Sequence, residues 1–311
     1  MYLLPAATRA IIEEPNKSLT PPHESWLGED WNVDLGQTRK ALGGMYFDWL
    51  IVDHYALDRR WESGMRDQVK NIFVIDDLAD RKHSCEVLLD QTYGQQGSSY
   101  KQLVPEHCEL LIGASYALLR PEFSEYRAKS LTRRVCSSVN NILVSLGGVD
   151  KDNITSEVLK VIENSHLPKN IRIIVVLGGG APNIVTVRNL IPTLKHDVEL
   201  LVDSSNMAEL MSEADLAIGA AGSTSWERCV LGLPTIMFVL DENQQKIAAE
   251  LSKVGAALIL DCEIFSKLGE AIEGLVSNET KLFEMGCAAS TVCDGCGVDK
   301  IQAILTGKNY L

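Results

Sequence analysis

Residues 215–239 read DLAIGAAGSTSWERCVLGLPTIMFV. An apolar run, 215–219, meets a patch of glycine and alanine and then three consecutive hydroxyls, Ser223, Thr224 and Ser225. A carboxylate follows at Glu227, an apolar stretch ends at Gly232 and Pro234, and a second apolar run occupies 235–239. Two short apolar runs flanking a helix-length segment predict strand, helix, strand, the repeating unit of a parallel sheet covered by helices. In such sheets ligands sit beyond the carboxyl ends of strands, where loops lead into helices. Glycine and alanine let a ligand approach the backbone, and the first amides of the helix favour an anion, so the junction reads as a phosphate seat. Glu227, one turn along, is placed to accept two hydroxyl hydrogen bonds from a ribose. The stretch Thr224-x-x-Glu227 also fits a capping box, which needs no ligand, and both readings stand at this point.

The same alternation extends in both directions. Strands are predicted at 48–53, 71–76, 86–90 and 109–113 in the first half, and at 141–146, 171–177, 198–202, 215–219, 235–239 and 257–260 in the second. Helices are predicted at about 154–164, 183–191, 206–213, 224–231 and 243–254, with a last one at about 297–308 that packs on either half. The polar, basic stretch 126–134 reads as a linker, which gives an N-terminal Rossmann-like domain over 1–132 and a C-terminal one over 133–311. Gly147-Gly148 and Gly178-Gly179-Gly180 strip two further strand ends of side chains, and three such ends suggest a ligand lying across a cleft. Asn243 and Gln244, after strand 235–239, supply amides for sugar hydroxyls or, for Asn243, a helix cap. In LIVDHYALD the alternation puts Asp53 and Tyr55 on one side and His54 on the other; His54 reads as a packed or capping group or as a base. Asp76, Asp77 and Asp80 read as solvated loop and cap residues.

Composition narrows the function class. Of 311 residues, 46% are hydrophobic, enough to bury two cores. Lys+Arg of 29 against Asp+Glu of 42 leaves a net charge of -13 without a basic run, which argues against nucleic acid as a partner. The 8 cysteines in so long a chain read as reduced thiols, and the pair Cys293 and Cys296 lacks the companions of a zinc set, so no metal is expected. No apolar stretch approaches the ~18 residues of a membrane span, and the start MYLLPAATRA lacks the features of a secretion signal. A cytoplasmic protein without a membrane partner is expected, and its oligomeric state is left open.

Taken together, WLIVDHYALD, IDDLADRKHSCEVLLDQ, YALLRPEF, ILVSLGGVD, GAAGSTSWERC and ENQ resemble the UDP-2,4-diacetamido-2,4,6-trideoxy-beta-L-altropyranose hydrolase family of pseudaminic acid biosynthesis, in order over roughly residues 48–300. The resemblance implies an α/β architecture of two Rossmann-like domains, the glycosyltransferase B fold. It implies hydrolysis of a UDP-sugar at the anomeric carbon, releasing UDP and the free sugar, with no metal and no cofactor. Carried over, it puts Glu227 on the ribose, Ser223, Thr224 and Ser225 at the diphosphate, and Gly147 and Gly148 against the nucleotide. Asn243 and Gln244 fall on the sugar or distal phosphate, and Tyr55 in the catalytic cleft. The family's opening Gly-His loop, whose histidine is taken to activate water, has no counterpart here, and His23 does not match it. The first domain is therefore expected to be N-terminally truncated, as in a fragment, a mis-started product or a decayed homologue, with His54 as the remaining candidate base and turnover weak or absent. The alternatives are a non-catalytic nucleotide-sugar-binding protein and a UDP-dependent glycosyltransferase.

Overall fold

The computed structural model describes residues 23–136, 138–260 and 266–307. The opening residues MYLLPAATRA and Cys262 lie outside them. The chain forms two compact units, one of residues 1–116 with 301–311 and one of residues 117–300.

The first unit opens with α1 (Trp31–Leu42), whose N-cap Asp30 accepts the Asn32 N–H and whose last turn ends at Gly43. Then come β1 (Phe47–Val52), α2 (Arg59–Gly64), β2 (Val69–Ile75), β3 (Val87–Asp90) and β4 (Glu109–Ile112). The strands make one parallel sheet in the order β1-β2-β3-β4. Alternation along β2 divides its core between the two faces. Ile72 and Val74 pack with Leu88, Tyr100, Trp61 and Met65 on one face, while Phe73 joins Leu89, Leu111 and Ile301 on the other. The residue at 301 belongs to the chain's final helix, and Ile304 and Leu305 beside it cover the same face.

The second unit begins with α3 (Pro121–Arg133), across the segment whose polarity suggested a linker. Proline at its first position presets the helical φ. Its basic residues are clamps rather than a solvated tether. Arg127 donates to the carbonyls of Val230, Cys293 (3.1 Å) and Ser290 (2.9 Å). Arg134, at the helix's end, donates to those of Leu231 (2.9 Å), Ala214 (2.7 Å) and Met211 (2.8 Å). The units divide at Tyr116–Ala117, whereas polarity put the boundary near 133, because these charges are buried on backbone oxygens.

The unit continues with β5 (Asn141–Ser145), α4 (Ile154–Asn164), β6 (Arg172–Leu177), α5 (Ile184–Leu190), β7 (Asp197–Val202), α6 (Met207–Glu213) and β8 (Leu216–Ala220). It ends with α7 (Thr224–Val230), β9 (Thr235–Phe238), α8 (Gln245–Lys253), β10 (Ala257–Leu260), α9 (Ser266–Val276) and α10 (Glu279–Val292). The final helix, α11 (Gly297–Thr306), crosses back, its residues from 301 counting with the first unit. All six strands are parallel, in the order β10-β9-β8-β5-β6-β7. Strand progression therefore reverses between β5 and β8, the topological switch point at which doubly wound sheets open a crevice. Ile142, Val144, Ile173, Val175, Ile218 and Phe238 carry the core beneath it.

Candidate functional site

At the switch point the register pairs Ser145 with Gly219, so Leu146-Gly147-Gly148 and Ala220-Ala221-Gly222 leave the sheet side by side. Gly147 has φ +97°, a conformation that a side chain would strain. The Gly148 carbonyl accepts the Gly178 N–H at 2.9 Å, and the Gly179 N–H goes to Asp203. The three glycine-rich strand ends are thus neighbours, as expected, but the β6 end has spent these amides on the protein. Asp150 is buried and serves as a cap, accepting the Ile154 and Thr155 amides at 2.9 and 3.0 Å.

The junction after β8 differs. Helix α7 starts with tight turns, Ser225 N–H to the Gly222 carbonyl (2.9 Å) and Trp226 N–H to that of Ser223 (3.1 Å). The amides of Gly222, Ser223 and Thr224 donate to no group among the described residues. Ser223, not Thr224, is the N-cap, and no side chain caps this helix. The capping box allowed by the sequence does not form. Glu227 stays half-buried with no hydrogen bond, its carboxyl pushed above the usual range by burial, against the pull of Arg120 and Arg228. Of the three hydroxyls, Ser223 is exposed and Thr224 half-buried, but Ser225 is buried. Its Oγ takes a bond from Arg228, so it faces the protein and not the loop as expected, because the guanidinium beneath needs acceptors.

Past β9, Asp241 is the N-cap of a short turn over Glu242–Gln244. Asn243 is exposed and caps nothing. Gln244 folds back, its Oε1 accepting the Leu240 N–H at 3.0 Å, so its carbonyl is engaged in holding the loop.

In the first unit, β1 ends at Val52, so Asp53, His54 and Tyr55 lie on a loop where strand alternation no longer sorts them. His54 Nδ1 accepts the Ala56 N–H at 3.1 Å. A neutral imidazole in that arrangement carries its proton on Nε2 and offers a donor there, which suits a turn better than a base. Tyr55 bonds to Asp77, and burial together with Asp77, Asp76 and Asp53 holds its phenol protonated far above the ordinary range. Its ring lies 5.9 Å from that of His23 and 5.7 Å, edge-on, from Trp26, with the Arg81 guanidinium 5.8 Å from its centre. His23, set aside in the sequence, thus neighbours Tyr55, and its Nε2 lies 3.3 Å from Asp80. Asp76 is buried rather than solvated: burial raises its pKa, but Arg81 at 2.6 Å and further donors bring it below the ordinary value. Tyr100 Oη is 2.9 Å from both Asp76 and Asp90. Cys293 is buried and its thiol is pushed up to about 11, while Cys296 lies half-buried ahead of α11.

Two parallel α/β units, the second wound as a Rossmann sheet, define a protein of the glycosyltransferase B fold. Residues 141–295 match the glycosyltransferase family 28 C-terminal domain, a span that runs from β5 past α10. The likeness to the hydrolases read from the sequence holds. The chain is 28% identical over 211 residues, 67% of its own length and 72% of the relative's, to the UDP-2,4-diacetamido-2,4,6-trideoxy-beta-L-altropyranose hydrolase of Campylobacter jejuni. It is 30% identical over 206 residues to the spore coat polysaccharide biosynthesis protein SpsG of Bacillus subtilis, covering 62% of this chain and 57% of that one. In structure it is similar to MurG of Acinetobacter baumannii, with TM-score 0.63 and 15% identity over 89% of this chain and 77% of that chain. No helix among the described residues is long and apolar enough to cross a membrane.

Proposed function

We propose that the chain binds a UDP-linked sugar through its second unit and hydrolyses it at the anomeric carbon, releasing UDP. The observation that carries the reading is the pairing of the unspent amides of Gly222, Ser223 and Thr224 with the unpartnered Glu227 carboxylate one turn along, at the switch point of the sheet. The amides suit a diphosphate and the carboxylate a ribose diol; Gly147 and Gly148 leave room for the nucleotide, and the exposed Asn243 is available to the sugar or distal phosphate. The hydrolase of Campylobacter jejuni, similar over 67% of this chain, supports the reaction class.

Breaking the anomeric C–O bond requires stabilisation of the departing diphosphate and a water activated on the opposite face of the sugar. The second unit's amides serve the first task. For the sugar side, Tyr55 with Asp77 is assigned on the first unit; with Nε2 of His54 protonated by its turn, His54 is not assigned the base. A positioned base is worth roughly 10²- to 10⁴-fold, so turnover is expected to be slow unless another group supplies it. The similarity to a UDP-N-acetylglucosamine transferase of Hahella chejuensis, 32% identical over 133 residues, favours a transferase as the second reading. Incubation with a UDP-sugar, with and without an acceptor alcohol, separates them. UDP released without acceptor supports hydrolysis, release only with acceptor supports transfer, and no calorimetric heat with UDP refutes both.

A further inference from the structure

Arg228 is the charged residue the sequence gave no reason to notice. It is buried, at 2% exposure, on the inner face of α7, next in sequence to Glu227. Its Nη2 donates to the Ala220 carbonyl at 2.6 Å and to Ser225 Oγ at 3.2 Å, and its Nη1 to Thr224 Oγ1 at 3.4 Å. Every one of these acceptors is uncharged, and Nε, also buried, donates to nothing among the described residues. A buried cation is ordinarily paired with a carboxylate, because desolvating it alone is costly. Here burial brings the guanidinium down to about 10 but leaves it charged at neutral pH. The sheet makes room for it: a Cβ at Gly219 would stand 2.4 Å from Nη1 and 2.9 Å from the Ser145 carbonyl. The acceptors span residues 220–225, the segment whose amides are unspent.

We propose that Arg228 is the positioning residue of this turn, holding residues 220–225 in the shape that leaves the three amides free and setting an unneutralised positive charge behind them for a diphosphate. The inference rests on the nucleotide reading above. Arg228 touches no ligand; it acts through the backbone it fastens and through its field, which a low-dielectric surrounding screens little. Phosphate groups should feel its loss, and a nucleoside without phosphate should not.

The test titrates the full chain with UDP and with uridine, in the wild type, Arg228→Met, Arg228→Lys and Gly219→Ala, and follows amide hydrogen exchange over 220–225 without ligand. Arg228→Met should weaken UDP at least tenfold while moving uridine less than twofold, and exchange over 220–225 should accelerate. Arg228→Lys, which keeps the charge and loses the planar fork, should fall between, and it carries the comparison if Arg228→Met does not fold. Gly219→Ala, which displaces the guanidinium without removing it, should resemble Arg228→Lys. Equal losses for UDP and uridine, or UDP affinity equal to the wild type's, would overturn the inference. A wild type that binds neither ligand refutes the nucleotide reading; unchanged exchange over 220–225 in Arg228→Met then refutes the positioning role separately.

Discussion

Replacing Glu227 with glutamine should move affinity and stability in different directions. The carboxylate is half-buried, bonds to nothing and caps no helix. As the acceptor of a ribose diol it makes charged hydrogen bonds worth about 1.5 to 3 kcal/mol, so its loss should raise the Kd for UDP roughly ten- to hundredfold. Stability follows from the sign of the pKa shift. Burial raises the folded pKa above its unfolded value near 4.5, so the favourable contribution of this group is fully present below that value and is lost as pH rises through the folded pKa. At neutral pH the charged form is therefore a burden that glutamine lacks, and Glu227→Gln should melt at the same temperature as the wild type or higher. That advantage should vanish as pH falls below the ordinary glutamate range. Calorimetric titration with UDP and thermal unfolding at pH 7 and pH 4 read both quantities. A helix cap would behave oppositely, costing about 1 kcal/mol on removal. Unchanged UDP affinity with a lower melting temperature would refute the reasoning and leave Glu227 a structural residue.

Further outcomes follow from other residues. Gly147→Ala forces a side chain into a positive φ and should cost roughly 1 to 2 kcal/mol in denaturant unfolding, with weaker UDP binding. Arg134→Ala strands three buried carbonyls and should cost on the order of 3 kcal/mol or more in the same assay. Asp76→Asn tests acid stability. The folded pKa of Asp76 is depressed, so its contribution is present above the ordinary aspartate range and lost as pH falls through the folded value; the variant should be less stable at neutral pH and lose less on acidification to pH 3. Ile301→Ala removes a buried side chain from the first unit's core, and a loss of about 2 to 5 kcal/mol is expected, read as a lower melting temperature.

Strands were the legible part of the sequence, since each of the runs from 48–53 to 257–260 became a strand within a residue or two. Buried parallel strands are short apolar runs bounded by polar residues, a signal that needs no tertiary information. Helices with a mixed composition hid better. The segments 31–42, 121–133, 266–276 and 279–292 are helical, and α3 passed for a tether because Arg127 and Arg134 count as solvated until the carbonyls they hold are seen. In the site, Gly147, Gly148 and Glu227 were found from their place at strand ends. The inward turn of Ser225 and the folding back of Gln244 depend on Arg228 and on the Leu240 amide, contacts that spacing alone does not encode. Nor does spacing bring His23 beside Tyr55; only the folded loop does.

The return of α11 to the first unit has a consequence for synthesis. A ribosome delivers β1 to β4 first and the whole of the second unit next, yet Ile301, Ile304 and Leu305, which cover Phe73, Leu89 and Leu111, come last. The second unit has every residue of its sheet available before that covering arrives. One face of the first sheet must wait, with its apolar side chains bare, for the length of time it takes to translate some two hundred residues. At elongation rates of roughly 5 to 20 residues per second that interval is on the order of ten to forty seconds, during which a chaperone or a neighbouring nascent chain has access to a surface that the finished protein does not display.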